Sequence, residues 1–222
     1  MIVSISKPKG PTSHDIVDAV RRITGERRVG HAGTLDPMAE GVLIIGIGRD
    51  ATKQLGTIVH SDKEYIATAH LGATSDTDDA EGAVQHASDA ARGTVPSRNT
   101  IAHVLEQYTG TIHQVPPKYS AIKLRGKPAH RRMRGGEDVH LEPRAVEIKE
   151  IELLDYTWPL LRIRVVCGSG TYIRALARDI GATLGVGGYL AALTRTRVGT
   201  FTLDAALTLE QFDRHWRDAS AA

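Results

Sequence analysis

The spacing of apolar residues divides the chain into predicted strands and helices. Apolar and polar residues alternate over 64–71 and 161–167, which predicts two strands with one buried face each. The unbroken apolar run from Val42 to Ile47 predicts a strand that is buried on both faces. Apolar residues at helical spacing predict helices over 12–24, 51–59, 99–108, 173–184 and 208–216. Strands and helices do not alternate strictly, so the sequence predicts an α+β fold with a mixed, largely antiparallel central sheet flanked by helices.

Local signals mark where these elements begin and bend. Thr12 with Asp15, and Thr208 with Gln211, have the spacing of helix-capping boxes. Residues 146–154 also have a strand-like pattern, and the alternation slips near Glu150, which predicts a β-bulge there. The exposed end of the first predicted helix is basic and carries Arg21, Arg22, Arg27 and Arg28. These arginines fit a solvated helix end as well as they fit a contact to phosphate groups.

The composition is that of a globular protein with a substantial hydrophobic core. The 222 residues are 41% hydrophobic and 24% charged, and the net charge is only +2. A polyanionic partner therefore has to be argued from where the charges lie. The single cysteine, Cys167, excludes an internal disulfide and is expected in the core. Without a signal peptide or a long apolar run, we expect a cytoplasmic protein that does not bind membranes.

Residues 74–82 form a strongly acidic segment, which raises the question of a metal site. The calcium-loop template fails, because Glu81 stands where glycine is needed and Ala87 stands where glutamate is needed. The histidines and the cysteine do not have zinc-ligand spacing. We therefore expect no metal and a solvated acidic loop.

A basic segment follows at residues 114–134. It contains no acidic residue before Glu137 and carries Lys118, Lys123, Arg125, Lys127, Arg131, Arg132 and Arg134. Such a cluster neutralises phosphates and favours a nucleic-acid partner. A solvated basic loop, or one that pairs with the acidic loop, is the alternative.

Asp36 is the best candidate for chemistry. It lies in a turn-rich segment just before the predicted buried strand, and Pro37 biases it towards an extended conformation. Taken alone, an Asp-Pro pair is more typical of an ordinary turn. Glycine-rich nucleotide loops, H-E-x-x-H and G-x-S-x-G are absent, however. Chemistry by a carboxylate on a nucleic acid, without a metal or cofactor, is consistent with what remains.

Five stretches, in this order, resemble the tRNA pseudouridine-55 synthase family, often called TruB. They are KPKGPTS at 7–13, GHAGTLDP and its continuation at 30–53, DKEY at 62–65 with the acidic loop, VPPKYSA at 115–121, and CGSGTYIR at 167–174. The resemblance implies a cofactor-independent isomerase that flips a T-loop uridine of tRNA, U55, out of its stack and converts it to pseudouridine.

The resemblance also implies roles for individual residues. Asp36 would act on the target nucleotide, either by attacking the ribose or by abstracting a proton from it. Tyr65, which periodicity alone would place in the core, would stack on the flipped base. Arg174 would pair with Asp36 and keep it ionised. This fits a residue that lies near a helix start, where a cation calls for an acidic partner or for exposure. His31, Tyr172 and Leu193 would line the uridine pocket, with Lys53 beside it.

The remaining predictions concern RNA binding and domain organisation. A thumb-like insertion at about 114–145 would grip the tRNA arm. The expected RNA-binding residues are Lys7, Lys9, Lys118, Lys123, Arg125, Lys127, Arg131 and Arg132. We expect one catalytic domain over 1–222, without the appended C-terminal RNA-binding domain of longer members, acting as a monomer with no obligatory protein partner.

Three alternatives stay open at this point. A guide-RNA-dependent synthase is disfavoured by the integral insertion, which would let the protein recognise RNA directly. A non-catalytic RNA-binding module or RNA chaperone is disfavoured by the intact set of Asp36, Tyr65 and Arg174. A small-molecule enzyme that holds a metal in the acidic loop is the weakest of the three.

Overall fold

The computed structural model describes residues 1–86, 95–120, 123–124, 127–128 and 141–221. The chain forms two compact units: unit 1 is Met1–Ile66 with Leu193–Ala222, and unit 2 is Ala67–Ala192. The elements in chain order are β1 (Ile2–Lys7), α1 (Ser13–Thr24), β2 (Val29–Ala32), β3 (Glu40–Ile47), α2 (Arg49–Ile58), β4 (Lys63–Leu71), β5 (Ala73–Ser75), β6 (Val84–His86), α3 (Arg98–Glu106), β7 (Gly110–Gln114), β8 (Lys123–Leu124), β9 (Lys127–Pro128), β10 (Arg144–Thr157), β11 (Leu160–Cys167), α4 (Ile173–Thr183), β12 (Gly188–Val198), β13 (Phe201–Thr202) and α5 (Leu209–Ala221).

Strand β3 is the centre of unit 1. It pairs antiparallel with β1 and β2, and parallel with the end of β12 at Thr194↔Glu40. Successive β3 residues belong to two different core clusters: Leu43 and Ile45 pack with residues of α1 and α5, whereas Val42 and Ile44 pack with residues of α2. The prediction of a strand buried on both faces is therefore confirmed.

In unit 2 the strands follow the order β4–β11–β10–β7, and β10 pairs antiparallel with both of its neighbours. The register shifts between Ile148 and Glu150, where the sequence predicted a bulge. Cys167 is buried at the end of β11, as expected for a core cysteine. Helices α3 and α4 bury the apolar stripes that their spacing predicted.

The predicted fold class is confirmed. Helices and strands mix in an α+β arrangement, with antiparallel pairs predominating and the β3–β12 pair parallel. Within the described residues, none of the helices combines the length and the apolar character that crossing a bilayer would require.

Helix α1 begins with the predicted capping box. The Thr12 hydroxyl accepts a hydrogen bond from the Asp15 N–H at 3.1 Å, and the Asp15 carboxylate accepts one from the Thr12 N–H at 2.8 Å. At the other end of the helix, Gly25 adopts a left-handed conformation with φ of 70°. These two caps satisfy backbone groups that the helix itself leaves unpaired.

We predict that Thr12→Ala lowers the free energy of unfolding by about 1 kcal/mol, because one N–H at the start of α1 loses its acceptor. Urea unfolding at neutral pH measures the change. Thr12→Ser keeps the hydroxyl and is the matched control, expected within about 0.5 kcal/mol of the wild type. Equal losses for both variants would contradict the capping role.

Candidate active site

Asp36 lies half-buried in the connection between β2 and β3, and the backbone on both sides of it is fixed by side chains. The Ser13 hydroxyl accepts a hydrogen bond from the Leu35 N–H at 2.8 Å and donates one to the Leu35 carbonyl at 2.9 Å. The Pro37 carbonyl accepts from the Gly10 N–H at 2.8 Å. We call residues 33–39 the Asp36 loop. Its carboxylate is carried by a backbone that has little freedom to move.

The side chain of Lys7 lies beneath this loop rather than at the surface. It is 0% exposed, and its ammonium donates to the carbonyls of Ala39 at 2.6 Å, Pro8 at 2.9 Å and Pro37 at 3.5 Å. A fully buried ammonium cannot contact RNA phosphates, so the prediction of Lys7 as an RNA-binding residue is wrong. Lys7 supports the Asp36 loop instead, whereas Lys9 is exposed as an RNA contact requires.

Arg195 contacts the backbone at the start of the Asp36 loop and in β3, the strand that follows the loop. Only 1% exposed, it donates from Nε to the Val42 carbonyl at 2.7 Å and from Nη2 to the Gly33 carbonyl at 2.9 Å. Gly41 lies so close to the backbone of Arg195 that an added Cβ would sit 2.2 Å from the Arg195 carbonyl oxygen. Its φ of +108° is also a conformation that favours glycine. Sequence reasoning missed this role, since an arginine in an alternating strand is ordinarily placed on the outer face.

His31 lies half-buried at the end of β2, just before the Asp36 loop. In the part of the chain that the structure describes, its Nδ1 is buried without a hydrogen-bond partner. Burial lowers the pKa of His31 below its ordinary 6.5, and the charges of Arg195 and His14 lower it further. The ring is therefore held neutral near pH 7.

We predict that stability falls as the pH drops from about 7 to 5, and that His31→Asn makes this fall shallower. Below pH 6.5 the unfolded chain binds a proton at His31 that the folded chain excludes, so acid favours unfolding. Urea midpoints measured across this pH range test the prediction. The exposed His60 provides the control, His60→Asn. An equal change of slope in both variants would contradict it.

The other predicted site residues of unit 1 differ in exposure. Tyr65 is only 8% exposed on the buried face of β4, which agrees with the expectation from periodicity. Leu193 is also buried, in β12, whereas Lys53 is exposed on α2. Their roles toward uridine stay predictions.

In unit 2, Arg174 is buried at the start of α4 and has an acidic partner there. Arg174 is 6% exposed and Asp79 is 3% exposed, and Nη1 of the arginine lies 3.2 Å from the carboxylate. Arg174 also donates to the Thr77 carbonyl at 3.2 Å and to the Tyr119 carbonyl at 3.1 Å. The position of Arg174 near a helix start called for either an acidic partner or exposure, and the structure shows an acidic partner, Asp79. The pairing of Arg174 with Asp36 stays a prediction.

The acidic segment is not the solvated loop that its composition predicted. Asp79 accepts hydrogen bonds from the Thr77 hydroxyl at 2.6 Å and from the Glu81 N–H at 3.0 Å, in addition to its ion pair with Arg174. Asp78 pairs with Arg178 at 2.8 Å. Composition alone overlooked that two arginines one helical turn apart could bury these carboxylates. Among the described residues, no cluster of His, Cys, Asp or Glu is suited to hold a metal ion.

Tyr172, just before α4, is held by the side chain of Gln114. The Gln114 amide donates from Nε2 to the Tyr172 carbonyl at 3.0 Å, and its oxygen accepts from the Tyr172 N–H at 2.8 Å. Gln114 is buried and ends β7, at the first residue of the predicted insertion. Sequence reasoning missed this residue as well.

The predicted RNA-binding cations of the insertion are described only in part. Lys118 is exposed. Lys123 and Lys127 lie in the short pair β8–β9, for which only the backbone is described. The predictions for Arg125, Arg131 and Arg132 lie outside the described residues.

Comparisons with known proteins give a consistent picture. Residues 21–173 match the model of the TruB family pseudouridylate synthase N-terminal domain, and residues 174–221 match that of the tRNA pseudouridylate synthase B C-terminal domain. The chain is 49% identical to tRNA pseudouridine synthase B of Thermobifida fusca, covering 95% of this chain and 73% of that protein. It is 50% identical to the protein of the same name from Streptomyces griseus, covering 95% and 72%.

Solved structures with the same fold include ribonucleoprotein components. A chain of a Cbf5–Nop10–Gar1 complex superimposes with a TM-score of 0.75 at 30% identity, covering 99% of this chain and 56% of that one. A chain of an H/ACA RNP bound to a substrate RNA containing 2′-deoxyuridine gives 0.71 at 28% identity, covering 99% and 55%. The chain thus spans little more than half the length of these solved relatives.

Proposed function

The chain belongs to the TruB family of pseudouridylate synthases, which makes it an isomerase acting on uridine in tRNA, and we propose that its target is a single T-loop uridine, U55. The bond between N1 of the base and C1′ of the ribose breaks, and a bond between C5 and C1′ forms. C5 loses a proton and N1 gains one, so atoms and electrons balance without a cofactor.

The observation that best supports chemistry by Asp36 within this proposal is the fixed backbone of the Asp36 loop. Ser13, Lys7 and Arg195 hold carbonyl groups before and after Asp36, at distances between 2.6 and 3.5 Å. An enzyme that works by covalent or proton-transfer chemistry needs its carboxylate held in one place before the substrate arrives. A protein that only binds RNA gains nothing from fixing an acidic group near phosphates.

We assign the remaining roles within this proposal. Asp36 acts on the target nucleotide, by attack on the ribose or by proton abstraction. Tyr65 stacks on the flipped base. Arg174, in addition to the ion pair that it makes with Asp79, is assigned as the cation that keeps Asp36 ionised. The residues proposed to surround the uridine are His31, Tyr172, Leu193 and Lys53. Lys9, Lys118 and the cations of the insertion contact the tRNA backbone, and these contacts offset the few kcal/mol that base flipping costs.

An unmodified tRNA transcript incubated with the purified protein in EDTA, and then mapped for pseudouridine, tests the proposal. One new pseudouridine at U55 is the expected result. Pseudouridine at another position would overturn the assignment of the target. Tight tRNA binding without any product would favour an RNA-binding module instead.

The same assay addresses a guide-dependent mechanism, which the likeness to chains of H/ACA ribonucleoproteins makes worth testing. We propose that the protein acts alone as a monomer in the cytoplasm, because its integral insertion supplies the RNA contacts. Product formed on bare transcript, with no other RNA or protein present, is expected. A requirement for a second RNA would contradict this part of the proposal.

A further inference from the structure

The first residues of the predicted insertion are attached to the first turns of α4. We call residues 114–120 the insertion root. The Tyr119 carbonyl accepts a hydrogen bond from Arg174 at 3.1 Å, and the Val115 carbonyl accepts one from Arg178 at 2.8 Å. Together with the paired contacts between Gln114 and Tyr172, these bonds connect the root to the first turns of α4 and to the residue just before the helix.

Each of the three guanidinium nitrogens of Arg178 donates a hydrogen bond. Its Nη1 donates to the Asp78 carboxylate, its Nη2 to the Val115 carbonyl and its Nε to the Asp179 carboxylate, each at 2.8 Å. Three donors pointing in three fixed directions match the rigid fork of a guanidinium, which a lysine ammonium cannot reproduce. The guanidinium therefore joins the acidic loop, α4 and the insertion root at a single point.

Asp78 is built into this arrangement from the opposite side. It has a positive φ of 62°, a conformation that aspartate tolerates better than most residues, and its carbonyl accepts a hydrogen bond from the Leu190 N–H at 3.0 Å. Burial raises the pKa of the Asp78 carboxyl, and the charge of Arg178 opposes that rise. A half-buried carboxylate held in an unusual backbone conformation is positioned to orient its arginine.

The two arginines of α4 thus have separate partners. Arg174 pairs with Asp79 and contacts Tyr119, whereas Arg178, one turn further along, pairs with Asp78 and contacts Val115. The first pair includes a residue assigned to the site of chemistry. The second pair contacts the beginning of the insertion root and has no role in the proposed reaction.

We propose that Arg178 and Asp78 are positioning residues that orient the insertion root, and that they set the affinity for tRNA rather than the rate of the chemical step. The inference rests on the proposed function of the insertion as the part that grips tRNA. When the insertion root is held in place, the chain enters the cationic residues that follow it in sequence from a fixed position. Without the Asp78–Arg178 pair, tRNA binding also has to order the insertion root, and the entropy lost in that ordering lowers the affinity for tRNA.

The decisive variant is Asp78→Asn, because the two possible explanations predict opposite results. If the acidic loop affected RNA only through its charge, removing a negative charge would tighten binding to a polyanion. If Asp78 orients Arg178, the substitution weakens binding. We expect the Kd for an unmodified tRNA transcript to rise about tenfold for Asp78→Asn and for Arg178→Met. The single-turnover rate at saturating enzyme should stay within about threefold of the wild type.

Arg162→Met is the matched control, since it removes an exposed arginine from the same unit and changes the net charge equally. Arg178→Lys keeps the charge but not the forked geometry of the guanidinium, and its Kd for tRNA should be close to that of Arg178→Met. If circular dichroism shows that Arg178→Met does not fold, Arg178→Lys takes its place in the test. Unchanged or tighter binding by Asp78→Asn, or equal losses for Arg178→Met and Arg162→Met, would overturn the inference. The binding measurement is independent of product formation, so it stands even if the target nucleotide is wrong.

Discussion

Replacing Asp36 by asparagine should abolish pseudouridine formation while leaving tRNA binding within about threefold of the wild type. Both proposed roles of Asp36, attack on the ribose and proton abstraction, require a carboxylate with an available lone pair. The amide has the same shape but is neither nucleophilic nor basic enough. We expect the single-turnover rate to fall at least about a thousandfold.

Asp50→Asn is the control for this substitution. Asp50 is an exposed aspartate in the first turn of α2, in the same unit as Asp36, and its replacement changes the net charge in the same way. Its rate should match that of the wild type. If Asp36→Asn kept a tenth of the wild-type rate on saturating tRNA, Asp36 would not be the catalytic carboxylate, although the protein would still be a pseudouridine synthase.

Features that depend on neighbouring residues were predictable from the sequence. The apolar run of β3, the alternation of β4 and the Thr12–Asp15 box each report a local rule, and each was confirmed. The position of Asp36 in a connection before a buried strand followed in the same way. Such signals suffice for the fold class and for the place of the candidate carboxylate.

The buried cations could not be predicted in this way. Lys7 binds a carbonyl 32 residues away, and Arg195 binds one 162 residues away, so no local spacing connects them with their partners. Charged residues are also rarely buried, which makes a surface position the natural expectation for each. Their acceptors, moreover, are backbone carbonyls, which every sequence offers at every position.

Lys7 and Arg195 support the Asp36 loop in a common manner. Each places a positive charge next to the connection that carries Asp36, and each donates hydrogen bonds to backbone carbonyls. Burying a charge raises the free energy of the folded state unless the charge is fully hydrogen-bonded. The carbonyl groups that bind Lys7 and Arg195 therefore have to stay where they are. Moving the loop would take some of the carbonyl acceptors away from each buried cation, and this cost holds the loop in place.

Replacing Asp79 by alanine should lower the free energy of unfolding by about 3 kcal/mol and also reduce the rate of pseudouridine formation. The side chains of Arg174 and Asp79 are 7% and 4% exposed, so the substitution takes the carboxylate from a buried guanidinium. It also removes the carboxylate that accepts hydrogen bonds from the Thr77 hydroxyl and the Glu81 N–H. Urea unfolding followed by circular dichroism measures the first effect.

Two further variants separate charge from hydrogen bonding at this site. Asp76→Ala removes an exposed carboxylate of the same loop, one that accepts a hydrogen bond from the Ala83 N–H at 2.7 Å, and should cost about 1 kcal/mol or less. Asp79→Asn keeps an acceptor for Thr77 but not the charge, and its loss in the free energy of unfolding should lie between those of Asp76→Ala and Asp79→Ala. If Asp76→Ala and Asp79→Ala were equally destabilising, the buried pair would contribute no more than an exposed loop contact. Arg174 would then owe its position to the carbonyls of Thr77 and Tyr119.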